Sequence, residues 1–231
     1  MIIGINGYSG SGKDTVGRLI QDLYPEQEWQ IKKFAGKLKE IATILTGIKE
    51  ENFEDQEFKK TNLSHEWWTT CDEGHQPMTV RDFLQKLGTD ALRTGLHTNV
   101  WVNALMADYT RPVDLELFMY ANSYTEERDV SNSEEIPFSG EQLEDYFDKV
   151  RLPNWIITDT RFKNEAEAIK SKNGIVIRIE RFGVRPINNH PSETGLDDWK
   201  FDYVIDNSSS VEDLKNKIRN IFQQINKYEL I

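Results

Sequence analysis

The sequence predicts an α/β fold, a mostly parallel sheet with helices on both faces. Three observations lead there. The chain opens on an apolar run, MIIGIN, that stops at the glycine-rich stretch NGYSGSGKDT and gives way to a helix-periodic segment. Short apolar runs then alternate with helical patterns toward the end of the chain, as a parallel sheet with crossover helices requires. Gly7 and Asp159 both stand at the carboxyl ends of apolar runs, where α/β sheets place their ligands.

Each element has its own signal. After the glycine loop, Val16, Leu19, Ile20 and Leu23 fall at helical spacing, and Pro25 closes that helix. A second strand near residues 29 to 34 leads into a helix carrying Leu38, Ile41, Ala42 and Leu45, ended by Gly47. Residues 48 to 78 are polar and irregular. At Thr79 the pattern T-x-x-D announces a helix with Val80, Phe83, Leu84 and Leu87 as its buried stripe, and another helix spans about residues 99 to 109. Residues 113 to 150, with paired glutamates and Ser/Asn-rich turns, predict an acidic surface excursion. Regular order returns with strand WIITD, a helix near 163 to 172, strand IVIRIE and strand FDYVID. A last helix from Ser210 buries Val211, Leu214, Ile218, Ile221 and Ile225.

Composition narrows the function classes. A chain of 231 residues with 38% hydrophobic and 29% charged residues is an ordinary globular protein, expected as a single domain with a polar insertion at about 48–78 and the acidic excursion at about 113–150. No membrane span or signal peptide is apparent, so a cytoplasmic location is expected. The single cysteine, Cys71, excludes an intramolecular disulfide framework and is expected to be a small buried side chain. A net charge of -11 argues against broad binding of nucleic acid or anionic membrane, so any anionic ligand needs its basic residues gathered in one place.

The chemistry concentrates in a few segments. Gly7, Gly12 and Lys13 match the phosphate-binding loop G-x-x-x-x-G-K-[ST], and the strand and helix around them are the context that this motif needs. Loop amides and the helix N-terminus would cradle phosphate, with the Lys13 ammonium at the β/γ-phosphates. Where the motif carries its Mg²⁺-binding hydroxyl stands Asp14, with Thr15 next. Asp14 is expected to hold the metal, directly or through water, the alternative being an acid at a helix start. Asp159 is either a metal acid of Walker-B type or a helix cap, and Arg161 follows two residues later. Arg81, Gln85 and Gly88 share one helix face, which suits a phosphate and a base edge or else is simply solvated. His65, Cys71 and His75 match no standard zinc spacing, and no nucleophilic hydrolase set is present.

Five segments in order, GxxxxGKDT, FAGKLKE (34 to 40), VRDFLQKLGTD (80 to 90, followed by WV at 101 to 102), ITDTRFKNEAEAI (157 to 169) and HPSETGL (190 to 196), resemble the bacteriophage deoxynucleoside monophosphate kinases. The resemblance spans nearly the whole chain, and the spacing of the set is more specific than any one segment. It implies a P-loop kinase fold and transfer of the γ-phosphoryl group of ATP, with Mg²⁺, to a deoxynucleoside 5′-monophosphate. By similarity Gly10, Ser11, Gly12, Lys13, Asp14 and Thr15 hold the donor phosphates and metal. Lys39, Arg81, Gln85, Asp90, Asp159 and Arg161 line the acceptor side, and Arg181 stands near the ATP. Lys13, Asp14 and Arg161 are the expected catalytic groups, and Asp14 and Asp159 the expected metal ligands. The partners implied are small nucleotides, in a host-cell cytoplasm if the gene is a phage's, and a homodimer stays open. A phosphomevalonate-kinase-like enzyme is the nearest rival. A P-loop switch protein is the other, though it would need a guanine-reading N-K-x-D, to which IDNS (205 to 208) is the nearest candidate.

Overall fold

A computed structural model describes residues 1–71, 74–110, 152–186 and 194–228. The acidic excursion at 113–150, most of the HPSETGL segment and the Cys71 side chain lie outside the described residues. The strands are β1 (Ile2–Asn6), β2 (Gln30–Lys32), β3 (Thr69–Cys71), β4 (Gly74–Gln76), β5 (Trp155–Ile157), β6 (Ile175–Glu180) and β7 (Tyr203–Asp206). Five of them form a parallel sheet in the order β2-β5-β1-β6-β7, and β3 pairs with β4 in a separate antiparallel hairpin. The helices are α1 (Lys13–Leu23), α2 (Phe34–Thr46), α3 (Val80–Gln85), α4 (Val100–Ala107), α5 (Lys163–Ser171) and α6 (Val211–Tyr228).

Alternation along the strands splits the core into two layers. Ile3 and Ile5 of β1 face Val16 and Ile20 of α1 and Leu214, Ile218 and Ile221 of α6. Ile2, Trp155 and Ile157 turn the other way, toward Val102 and Leu105 of α4 and Ala166 and Ile169 of α5. The sheet is therefore covered on both faces, as its apolar strands predict. Val211 departs from the expected α6 stripe and is 57% exposed, because it is the first residue of the helix and Leu214 is the first to reach the core.

The segment at 48 to 78 has more order than its polar composition suggests. It holds three short 3₁₀ turns (Glu50–Phe53, Phe58–Lys60 and His65–Trp67) and the β3–β4 hairpin. Phe53 and Leu63 are buried with Ala42 of α2 and Val80 and Phe83 of α3 in a third apolar cluster. Its two large apolar anchors are too far apart in sequence to produce a periodic signal.

The Thr79 capping box forms as expected, with the Thr79 hydroxyl and the Asp82 carboxylate each bonded to the other's backbone N–H. After Gln85, however, the helix widens into a π-helix over Lys86–Thr94. Trp101 Nε1 donates to the Gly88 carbonyl at 3.0 Å from α4, a tertiary partner for a carbonyl in the widened turns.

Candidate active site

β1 and β5 are neighbours in the middle of the sheet, so the glycine loop after Asn6 and the turn after Ile157 emerge side by side. Gly10 and Gly12 adopt left-handed φ values of 82° and 97°. A Cβ on Gly12 would sit 2.4 Å from the Asn207 side-chain nitrogen, which donates to the Ser11 carbonyl at 2.8 Å. Asn207, at the end of β7, thus braces the loop from another strand. In the sequence this stretch stands out only as IDNS, the nearest approach to a guanine-reading motif.

The loop keeps its donors available. Among the described residues no side chain caps the start of α1, and the buried Ser11 hydroxyl has no hydrogen-bond partner. Lys13 Nζ folds back onto the Gly7 and Tyr8 carbonyls at 2.6 and 2.9 Å, within the concavity that those amides line. Uncapped helix amides, an orphaned hydroxyl and an ammonium form a donor set suited to an anionic phosphate chain.

Asp14 lies in the first turn of α1, with a side chain 62% exposed. Its Oδ1 accepts from the Thr158 hydroxyl at 2.8 Å, and Lys33 Nζ stands 3.7 Å away. Thr158, just past the end of β5, thus orients the Asp14 carboxylate from the neighbouring strand. Thr15 is exposed in the same turn.

Asp159 follows β5, which ends two residues earlier than the WIITD pattern suggests. Its carboxylate accepts from the backbone N–H groups of Phe34 and Ala35, at 2.8 and 2.9 Å. Burial pushes its pKa up, against those two hydrogen bonds and the nearby Arg161 and Lys33 charges. The helix it caps is α2, 125 residues away in sequence, not the one that follows it. Glu165 does the local work, accepting from the Arg161 and Phe162 backbone N–H groups at 2.7 and 3.1 Å from the first turn of α5. Glu165 is 2% exposed, and burial followed by the neighbouring Asp159 charge raises its pKa from 4.5 to about 7. Arg93 approaches Glu165 at 3.6 Å and stacks over the Phe162 ring at 4.1 Å.

Two clefts flank the glycine loop. The larger, about 1110 Å³, is lined by Ser9 of the loop and by all six residues expected on the acceptor side, Lys39, Arg81, Gln85, Asp90, Asp159 and Arg161. The smaller, about 770 Å³, is lined by Tyr8 and Ser11 of the loop together with Arg178, Arg181 and Arg185. Arg181 therefore lines the smaller cleft, apart from the six. Gly88 also lines the larger cleft, but the space its missing side chain leaves is taken by Leu38, whose Cδ2 would lie 2.9 Å from a Cβ there. The glycine there makes room for the close approach of α2.

A second buried network holds the loop from below. The Arg178 guanidinium of β6 donates to Asn6 and to Asp197, the latter at 3.1 Å, and lies 4.3 Å over the Tyr8 ring. The Tyr8 hydroxyl donates to the same Asp197 at 2.9 Å. Arg178 sits mid-strand in an apolar run and has no sequence signal beyond its charge.

The family described as deoxynucleotide monophosphate kinase matches residues 140–218. A putative deoxynucleotide monophosphate kinase of Acanthamoeba polyphaga mimivirus is 29% identical over 227 residues, covering 94% of each chain. The deoxynucleoside-5′-monophosphate kinase of Escherichia phage T5 is 24% identical over 85% of each chain. The deoxynucleotide monophosphate kinase of Enterobacteria phage T4 is 28% identical over 62% of this chain and 44% of its own. With a parallel sheet, a glycine loop and two flanking clefts in place, this chain is similar to the phage-type deoxynucleotide monophosphate kinases over most of its length.

Proposed function

We propose that this kinase transfers the γ-phosphoryl group of ATP to a deoxynucleoside 5′-monophosphate, releasing the two diphosphates. One observation carries the reading. A single glycine loop lines both clefts, through Tyr8 and Ser11 on one side and Ser9 on the other, so two bound anions would meet across it.

The smaller cleft takes the rest of the donor, with Arg181 at its lip, and the loop amides and Lys13 hold the donor phosphates. The larger cleft takes the monophosphate, its phosphate drawn by Lys39, Arg81 and Arg161. A phosphomonoester already presents an anionic oxygen at neutral pH, so the protein's task is to align two anions and neutralise their charge. Arg161, tied through its backbone to the cap of α5, is placed to balance charge developing between donor and acceptor.

The donor set fits Mg²⁺ at Asp14, an exposed carboxylate oriented by Thr158 beside the start of α1. Asp159, whose oxygens already receive two N–H groups, fits through its remaining lone pairs or through a coordinated water. The ion, when bound, neutralises phosphate charge and fixes the donor's geometry.

The test is incubation of the pure protein with Mg-ATP and a panel of ribo- and deoxyribonucleoside monophosphates, with chromatographic resolution of the diphosphates. Turnover of deoxynucleoside monophosphates is expected. Failure of every monophosphate, with phosphorylation of another metabolite such as phosphomevalonate, refutes the assignment.

A further inference from the structure

The large cleft has one wall that the acceptor motifs do not account for. It belongs to the 48 to 78 segment, which contributes Gln56 and Lys59. The 3₁₀ turn Phe58–Lys60 is fixed at its start by Asp55, whose carboxylate accepts from the Glu57 and Phe58 backbone N–H groups at 2.7 and 3.0 Å. Phe58 packs against the Phe53/Phe83 cluster, which orients the turn. Lys59 is thereby turned to the cleft, while Lys60 points outward and pairs with Glu57 at 2.6 Å.

Around Lys59 the charge is unbalanced. Lys59 shares the cleft lining with Lys39 and Arg81, and the charges of Lys39, Arg81 and Lys33 repel its ammonium while Glu54 attracts it. Glu54 already bonds to Lys39 and stands 3.6 Å from Lys33. Among the described residues Arg81 Nη2 donates to the neutral Gln56 oxygen, at 3.3 Å. Burial, then repulsion from Lys39, lowers the Lys59 pKa despite Glu54. Cations held together at this cost are stabilised by an anion that fits between them.

We infer that Lys59, with Lys39 and Arg81, forms a phosphomonoester-binding subsite, so that the 48 to 78 segment serves to carry an ammonium into the acceptor cleft. The inference rests on the kinase reading for the identity of the ligand, the 5′-phosphate of the acceptor. The geometry itself requires only a phosphomonoester dianion. An ammonium on a packed 3₁₀ turn needs little ordering when the anion arrives, so its contact contributes to affinity without a large entropic cost.

The test uses the full chain with a non-hydrolysable ATP analogue and Mg²⁺ saturating the donor side. Deoxyribose 5-phosphate, which lacks a base, is the probe, titrated by calorimetry. Lys59→Met is expected to weaken its binding roughly tenfold to a hundredfold, Lys59→Arg to retain most of it, and Lys60→Met to leave it unchanged. In steady-state assays Lys59→Met raises KM for the monophosphate and leaves KM for ATP unchanged. A ligand-free Lys59→Met protein melts no lower than wild type, because a crowded charge has been removed. Unchanged binding of the probe by Lys59→Met overturns the inference. So does an equal loss in both Lys59 variants accompanied by a lower melting temperature, which makes the lysine a packing residue. If wild type phosphorylates no monophosphate yet binds the probe in a Lys59-dependent way, the kinase reading fails and the subsite stands.

Discussion

Glu165 offers a sharp test of how the larger cleft is built. Its carboxyl is 2% exposed, caps α5 through the Arg161 and Phe162 amides, and faces the charge of Asp159. With its pKa raised from 4.5 to about 7, the native state holds a proton that the unfolded chain gives up at lower pH. Below 4.5 the group is protonated in both states and costs nothing. As pH rises toward 7 the advantage of the proton-bound native state is lost, and above 7 the buried charge bears its full penalty. That penalty is on the order of 3 kcal/mol. Glu165→Gln removes the charge while keeping an oxygen for the same two N–H groups. At pH 4.5 the variant and wild type should melt close together. By pH 8.5 the variant should be the more stable, by roughly 6 to 12 °C for a chain of this size. Differential scanning calorimetry at half-unit pH intervals reads the gap directly. A gap that does not change between pH 4.5 and 8.5 refutes the reasoning, and so does a variant that is less stable throughout.

Three further perturbations address the two clefts. Arg161→Ala should lower kcat/KM about a hundredfold while the folded protein keeps its melting temperature, through loss of a charge-assisted phosphate contact; near-normal turnover would return Arg161 to the surface. Asp14→Asn keeps an acceptor for the Thr158 hydroxyl and removes the charge beside Lys33. It should raise the Mg²⁺ concentration needed for half-maximal rate and reduce kcat, with melting changed by less than about 3 °C; normal Mg²⁺ dependence with a much lower melting temperature would make Asp14 a helix-start residue only. Gly12→Ala places a Cβ 2.4 Å from the Asn207 side-chain nitrogen at a φ of 97°, so calorimetry should find ATP binding at least tenfold weaker, and unchanged affinity would show that the brace yields freely.

What the sequence disclosed and what it withheld divide along a physical line. Local rules sufficed wherever a signal and its partner lie within one turn or one strand. The glycine loop, the Thr79 capping box and the alternating strands are all of that kind, and each forms where its pattern stands. The six residues expected on the acceptor side converge on one cleft because their motifs sit at the ends of central strands or on helices that the sheet order fixes. The failures involve partners far apart in the chain. As the helix cap that was the alternative to a metal acid, Asp159 would serve the following helix, yet α2 supplies its N–H donors from 125 residues upstream. The π-helical turns after Gln85 depend on α3 being continued while Trp101 of α4 takes the Gly88 carbonyl, and composition encodes neither condition. The anomaly at Asp14 was visible from the first line of the sequence, but its counterpart was not. Thr158 is one of several threonines until β5 is laid beside β1, and only then does a hydroxyl on the neighbouring strand end come within reach to orient the Asp14 carboxylate.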